Sequence, residues 1–122
     1  MSHAVKPEEL ASYLAEYGNT PFLLYSADDG SARINHVLVS EPAPNEQQIV
    51  EVTVTGFGRG VAARVLAQAP LSLLWPATAP GAFSLIADGT GTLDEQESTL
   101  KIAITKAVLH RPAPVDGDSA SC

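Results

Sequence analysis

The chain reads as mainly β: six antiparallel strands curled into a small barrel or half-barrel, with one N-terminal helix and one short helix between strands. Three observations predict this. From Pro21 onward apolar residues recur at every second position, most clearly in Val50-Glu51-Val52-Thr53-Val54-Thr55, the spacing of a strand with one buried face. Only two stretches carry a three- and four-residue period, whereas a doubly wound α/β sheet needs a helix of about ten residues after most strands. Short glycine- and proline-rich turns separate the strands without a long linker, so the 122 residues make one domain, expected over residues 1–112.

Residues 7–18 form the first helix. Pro7 opens it, Glu8 and Glu9 sit at its positive end, Gly18 stops it, and Leu10, Tyr13, Leu14 and Tyr17 share the face that covers one end of the barrel. Residues 22–27 and 32–40 are strands joined by the hairpin turn Asp28-Asp29-Gly30. A polar loop over 41–46 leads to the strand 48–55, whose Val50, Val52 and Val54 face the core while Glu51, Thr53 and Thr55 face out. Residues 58–68 form the short helix, ended by Pro70, with Val61, Val65 and Leu66 on its buried side. The strand 71–75 follows, and after a loop at 76–81 comes a long strand, 82–93, with a bend or bulge at Gly89 and Gly91. Residues 99–110 form the last strand, because Ile102, Ile104, Thr105 and Val108 are β-branched. The proline- and aspartate-rich residues 113–122 read as a flexible tail.

Composition narrows the function. Fourteen acidic residues against seven Lys plus Arg give a net charge of -7, which argues against a nucleic-acid surface. Apolar residues make up 45% and charged residues 17%, rich for so small a domain, so part of the apolar surface is expected in a subunit interface. The lone Cys122 forms no intrachain disulfide and no apolar run reaches the roughly 18 residues that cross a bilayer, so a cytoplasmic protein off the membrane is expected. No metal site is expected, since His3, His36 and His110 lack acidic or thiol neighbours at ligand spacing. No Gly-x-Ser-x-Gly elbow is present either.

What stands out is Gly56-Phe57-Gly58-Arg59-Gly60 at the mouth of the short helix, with Arg64 one turn on. The first N–H groups of a helix lack partners and carry partial positive charge, so glycines and arginines there suit an anion. The glycine spacing fits no dinucleotide fingerprint, and there is no Lys-Ser or Lys-Thr pair. Two readings stay open: a phosphate nest served by Arg59 and Arg64, or glycines that shape a tight turn. Arg33, with Asn35 on the same side of its strand, either clamps an anionic group or stands in solvent. Trp75, closing an apolar strand, either flanks a bound ring or packs against protein.

These motifs in this order resemble the pyridoxamine 5'-phosphate oxidase-like family of flavin-binding split barrels, in particular its short bacterial members. The stretch 22–33 is similar to the family's opening hairpin. Gly58-Arg59-Gly60, then Ala63-Arg64-Val65-Leu66 and Ala69-Pro70-Leu71-Ser72-Leu73-Leu74-Trp75, are similar to its strand, basic turn, short helix and strand, and 83–91 to the glycine-bearing strand that follows. The resemblance covers about residues 7–112. It implies a split barrel, a homodimer with FMN in clefts between subunits, and hydride or electron transfer to a small substrate. By that resemblance Arg33, Thr53, Thr55, Arg59, Gly60, Arg64 and Trp75 are the cofactor-binding candidates, Arg59 foremost. Related barrels imply two alternatives, a deazaflavin-dependent reductase and a non-catalytic dimer that binds flavin or another ligand, or has lost its cofactor. Vitamin B6 oxidation is not expected, because the family's longer oxidases carry a C-terminal substrate-binding region with no counterpart here.

Overall fold

The computed structural model describes residues 2–112. Its elements in chain order are β1 (Ser2–Val5), a 3-10 turn (Pro7–Glu9) running into α1 (Leu10–Tyr17), β2 (Phe22–Ser26), β3 (Ala32–His36), β4 (Leu38–Val39), β5 (Ala43–Pro44), β6 (Val50–Thr55), α2 (Arg59–Leu66), β7 (Leu71–Trp75), β8 (Ser84–Asp94) and β9 (Thr99–His110). The fold is mainly β, a curled antiparallel sheet forming a half-barrel, as the residue pattern predicts. The tail expected over 113–122 lies outside the described residues. Among those described, no helix is long and apolar enough to cross a membrane.

All strand pairs are antiparallel, and the sheet runs in the order β3-β2-β7-β8-β9-β6-β4. β9 organises it. One edge pairs with β8 along its whole length, while the other pairs with β6 through Leu100 to Ala103 and with β1 through Ala107 to His110. The sheet's two ends, β3 and β4, are consecutive in the chain with only Val37 between them. That buried valine is the point where the curled sheet brings its ends together.

The strand count differs from the sequence reading: nine strands are present among the described residues, not six. The expected strand 32–40 is two. At Val37 the chain leaves β2 and crosses to β6, and its N–H and that of Val39 donate to the carbonyls of Pro21 and Asn19 at 3.1 and 2.9 Å. β1 and the two-residue β5 are additions. Neither alternates in hydrophobicity; each is a strand only because a partner edge satisfies its backbone. The bend or bulge expected at the glycines of β8 takes the form of a register shift between Asp88 and Gly89, but the extra residue is Thr105, on β9.

Inward residues of every long strand form the core, among them Leu23, Val52, Val54, Leu73, Trp75, Leu85, Leu100 and Ile102. α2 closes it from one side with Val61 and Val65, whereas Leu66, expected beside them, is 69% exposed. Leu10 of α1 is fully buried, while Tyr13, Leu14 and Tyr17 pack partly buried against the same core. The Tyr17 hydroxyl donates to the Phe83 carbonyl at 2.8 Å, fixing α1 to the start of β8.

Candidate functional site

The corner where β6 turns into α2 is built by its glycines and by two side chains from the β2–β3 hairpin. Gly56 has φ +86°, a left-handed conformation that side chains disfavour, and it turns the chain out of β6. Gly58 is the N-cap of α2; its N–H donates to Asn35 Oδ1 at 2.9 Å, and no side chain caps the helix. Gly60 lies under Tyr25: a Cβ there would be 2.5 Å from the phenol oxygen. The close approach of hairpin and helix therefore depends on a missing side chain.

Arg64 is four residues after Gly60 and so on the same side of α2. Its Nε–H donates to the Ser26 carbonyl at 2.8 Å, tying the helix to the end of β2 and leaving both Nη groups of the planar fork for another acceptor. Arg33 stands opposite Tyr25 in the β2–β3 register. Its Nη1 reaches only the neighbouring Ala32 carbonyl, at 3.3 Å. Arg33, Arg64, Tyr25, Gly60 and Asp28 line one cleft of about 290 Å³. Two guanidinium groups against one carboxylate make it locally positive on a chain of charge -7. Nearby, Asp29 is spent on the turn: it accepts from the Ser31 hydroxyl at 2.5 Å and the Ser31 N–H at 2.9 Å. Those hydrogen bonds, the hydroxyl's first, hold its carboxyl below the ordinary aspartate value, and the charge of Arg33 adds to the effect.

The other predicted residues do not join this cleft. Arg59 lines a separate one of about 430 Å³ with Phe57, Ala62, Leu93, Glu95 and Ser98. The reason is helical geometry, since residues five apart point about 140° away from each other. Thr53 and Thr55 lie on the outer side of β6, as expected from its alternation. Thr53 faces Lys101 across the β6–β9 pair, and Thr55 borders a hollow at the β3–β4 crossover with His36 and Leu38. His36 is engaged there, its Nε2 3.0 Å from the Thr20 carbonyl oxygen and its ring stacked on Phe22. Trp75 corrects the expectation of a ring-flanking residue. It is 1% exposed, and its indole N–H donates to the Gly18 carbonyl at 3.0 Å. The alternation of β7 points Leu71, Leu73 and Trp75 inward together.

Sequence reasoning missed Tyr25 as a site residue, although its place two residues after Leu23 puts it on the inward face opposite Arg33. It placed Asn35 beside Arg33 but not its role in holding the Gly58 N–H. Comparison of the chain with family models, with curated proteins and with solved structures finds no match in any of the three.

Proposed function

We propose that this protein binds FMN, with the phosphate between Arg33 and Arg64, and acts as a cytoplasmic, dimeric flavin-dependent oxidoreductase. The observation that carries the reading is the convergence of two planar guanidinium groups and a tyrosine hydroxyl on one cleft of about 290 Å³. This donor set suits a phosphate, because arginine offers parallel N–H groups to two oxygens at once and the hydroxyl supplies a third donor. The missing side chain at Gly60 lets Tyr25 bring its hydroxyl against α2 at the edge of the same cleft. The cleft is at the small end for a ligand site, so it takes the phosphate end and leaves the ring system outside, toward a second protomer.

FMN, when bound, supplies hydride or electron transfer; the chain's part is to bind and orient it. Arg64, tethered through Nε to Ser26, is the preorganised half of the clamp. Arg33, on an exposed strand, closes from the other side. A deazaflavin would meet the same donors through its own phosphate. Besides the arginines the cleft offers only Tyr25 and Asp28 as polar side chains, which favours as second reading a dimer that carries the ligand without turnover.

Titration with FMN, riboflavin and a phosphorylated deazaflavin tests this. Loss of a charge-assisted clamp is worth about 1.5–3 kcal/mol, so Arg33→Ala and Arg64→Ala should each weaken FMN binding by about 10- to 100-fold. Arg59→Ala should change it by less than about threefold, because that side chain lines the other cleft. Absence of FMN binding at about 100 μM, or equal effects of all three substitutions, would overturn the reading.

A further inference from the structure

The turn between β2 and β3 holds two adjacent aspartates with different tasks. The turn closes through its backbone: the Gly30 N–H donates to the Ala27 carbonyl at 2.9 Å, the Ala27 N–H donates to the Ser31 carbonyl at 2.8 Å, and Gly30 takes a left-handed φ of +86° at the reversal. Asp29 supplies the side-chain contacts of the turn, both to Ser31. Asp28 supplies none. Among the described residues its exposed carboxylate makes no hydrogen bond and no ion pair. Yet it lines the cleft of about 290 Å³ together with Tyr25, Arg33 and Arg64. Arg64, tethered through Nε to the Ser26 carbonyl, does not pair with it. The fold therefore makes no use of the Asp28 side chain, while the closed turn fixes its backbone at the wall of the cleft.

Chemistry limits what such a group can meet. An ionised carboxylate only accepts hydrogen bonds, so its partner on a ligand is an O–H or N–H donor. The phosphate is no partner, since it carries the same sign of charge and is taken by the arginines. An ammonium is disfavoured too, because two guanidinium groups line the same small space. A hydroxyl meets neither repulsion. In so small a cleft it must stand close to the phosphate, on one of the first carbons of the chain that the phosphate esterifies. We propose that Asp28 accepts a hydrogen bond from that hydroxyl and so makes the cleft selective for polyol phosphates over plain alkyl phosphates. A plain alkyl chain would take water from the carboxylate and return no hydrogen bond, while the charge of Asp28 repels its phosphate. The ribityl chain of FMN carries such a hydroxyl, and so do sugar phosphates and glycerol phosphate; the inference rests on the phosphate reading of the cleft and not on the flavin.

Chemical-shift titration of the full chain with glycerol 3-phosphate and with propyl phosphate tests the proposal, at fixed ionic strength and about pH 7.5, where a phosphate monoester is mostly dianionic. The two ligands differ only in their hydroxyls. The parent should bind glycerol 3-phosphate at least about fivefold more tightly. Asp28→Ala should bring the two affinities to within about twofold of each other and strengthen propyl phosphate binding by at least about twofold, as the like charge is removed. Asp28→Asn keeps an acceptor oxygen without the charge, so it should bind both ligands more tightly and retain the preference. Arg64→Ala should weaken both ligands alike and leave their ratio unchanged. Because Asp28 has no contact in the fold, the thermal midpoints of its two variants should stay within about 2 °C of the parent. Ribose 5-phosphate and FMN should each displace glycerol 3-phosphate, and the tighter competitor tells a sugar phosphate from a flavin. Equal affinity of the parent for the two ligands would overturn the inference, as would a preference that survives Asp28→Ala, or 2-aminoethyl phosphate bound more tightly than glycerol 3-phosphate. If neither ligand binds at about 50 mM, the phosphate reading fails and this inference with it. Failure of the Asp28 inference alone leaves phosphate binding, and its loss in Arg64→Ala, intact.

Discussion

An alanine at Gly60 would bring its Cβ to 2.5 Å from the Tyr25 hydroxyl oxygen, and this one clearance sets how the hairpin and α2 share the cleft. Gly60→Ala has two opposed effects on stability: it favours the helix by up to about 1 kcal/mol and forces the phenol aside. We therefore expect a thermal midpoint within about 5 °C of the parent, but FMN binding weakened by at least about fivefold, because the displaced ring enters the space given to the phosphate. Trp75 gives the converse test. Trp75→Phe removes a buried N–H donor and part of a core side chain, and should cost about 1–3 kcal/mol in urea unfolding. FMN affinity should hold, since nothing in the cleft touches this residue.

At the scale of elements, α2 and the β8–β9 pair have the largest consequences. α2 is eight residues long, and the five-residue step from Arg59 to Arg64 sends two arginines that look adjacent in sequence into separate clefts. The β8–β9 pair, the longest in the sheet, changes register at Gly89, opposite the extra residue Thr105 of β9. A Cβ at Gly89 would collide with the backbone carbonyl of Ala103 and lie 2.8 Å from Ile102 Cγ2. The Ala103 carbonyl belongs to a strand paired on both edges and has little room to retreat. Gly89→Ala should therefore destabilise the fold by about 1–3 kcal/mol in chemical denaturation. Gly91→Ala should cost less, because its nearest neighbours are the side-chain ends of Leu100, Leu71 and Val65, which can shift rotamer.

At the scale of the whole molecule, the curl of the sheet matters most. It brings the two ends of the sheet together at Val37, and it leaves β3 as an edge strand with the arginine cleft on its inner side. Legibility follows the range of the interactions. The long strands and both helices were readable because period and breakers are local: the valines of β6, Pro70 after α2, Gly18 after α1. β1, β5 and the break at Val37 were not, because each exists through a hydrogen-bonded edge that is distant in sequence.

By itself the sequence determined a mainly β chain with two helices, the inward face of β6, and an arginine- and glycine-bearing corner before α2. These depend on the spacing of side chains along a single element, which the order of residues sets directly. Only the tertiary structure decided that Arg33 and Arg64 share a cleft without Arg59, that Tyr25 and Asn35 complete the corner, and that Trp75 belongs to the core. Each of these depends on which strands lie side by side and in what register, and that is fixed by the closure of the sheet rather than by any one segment.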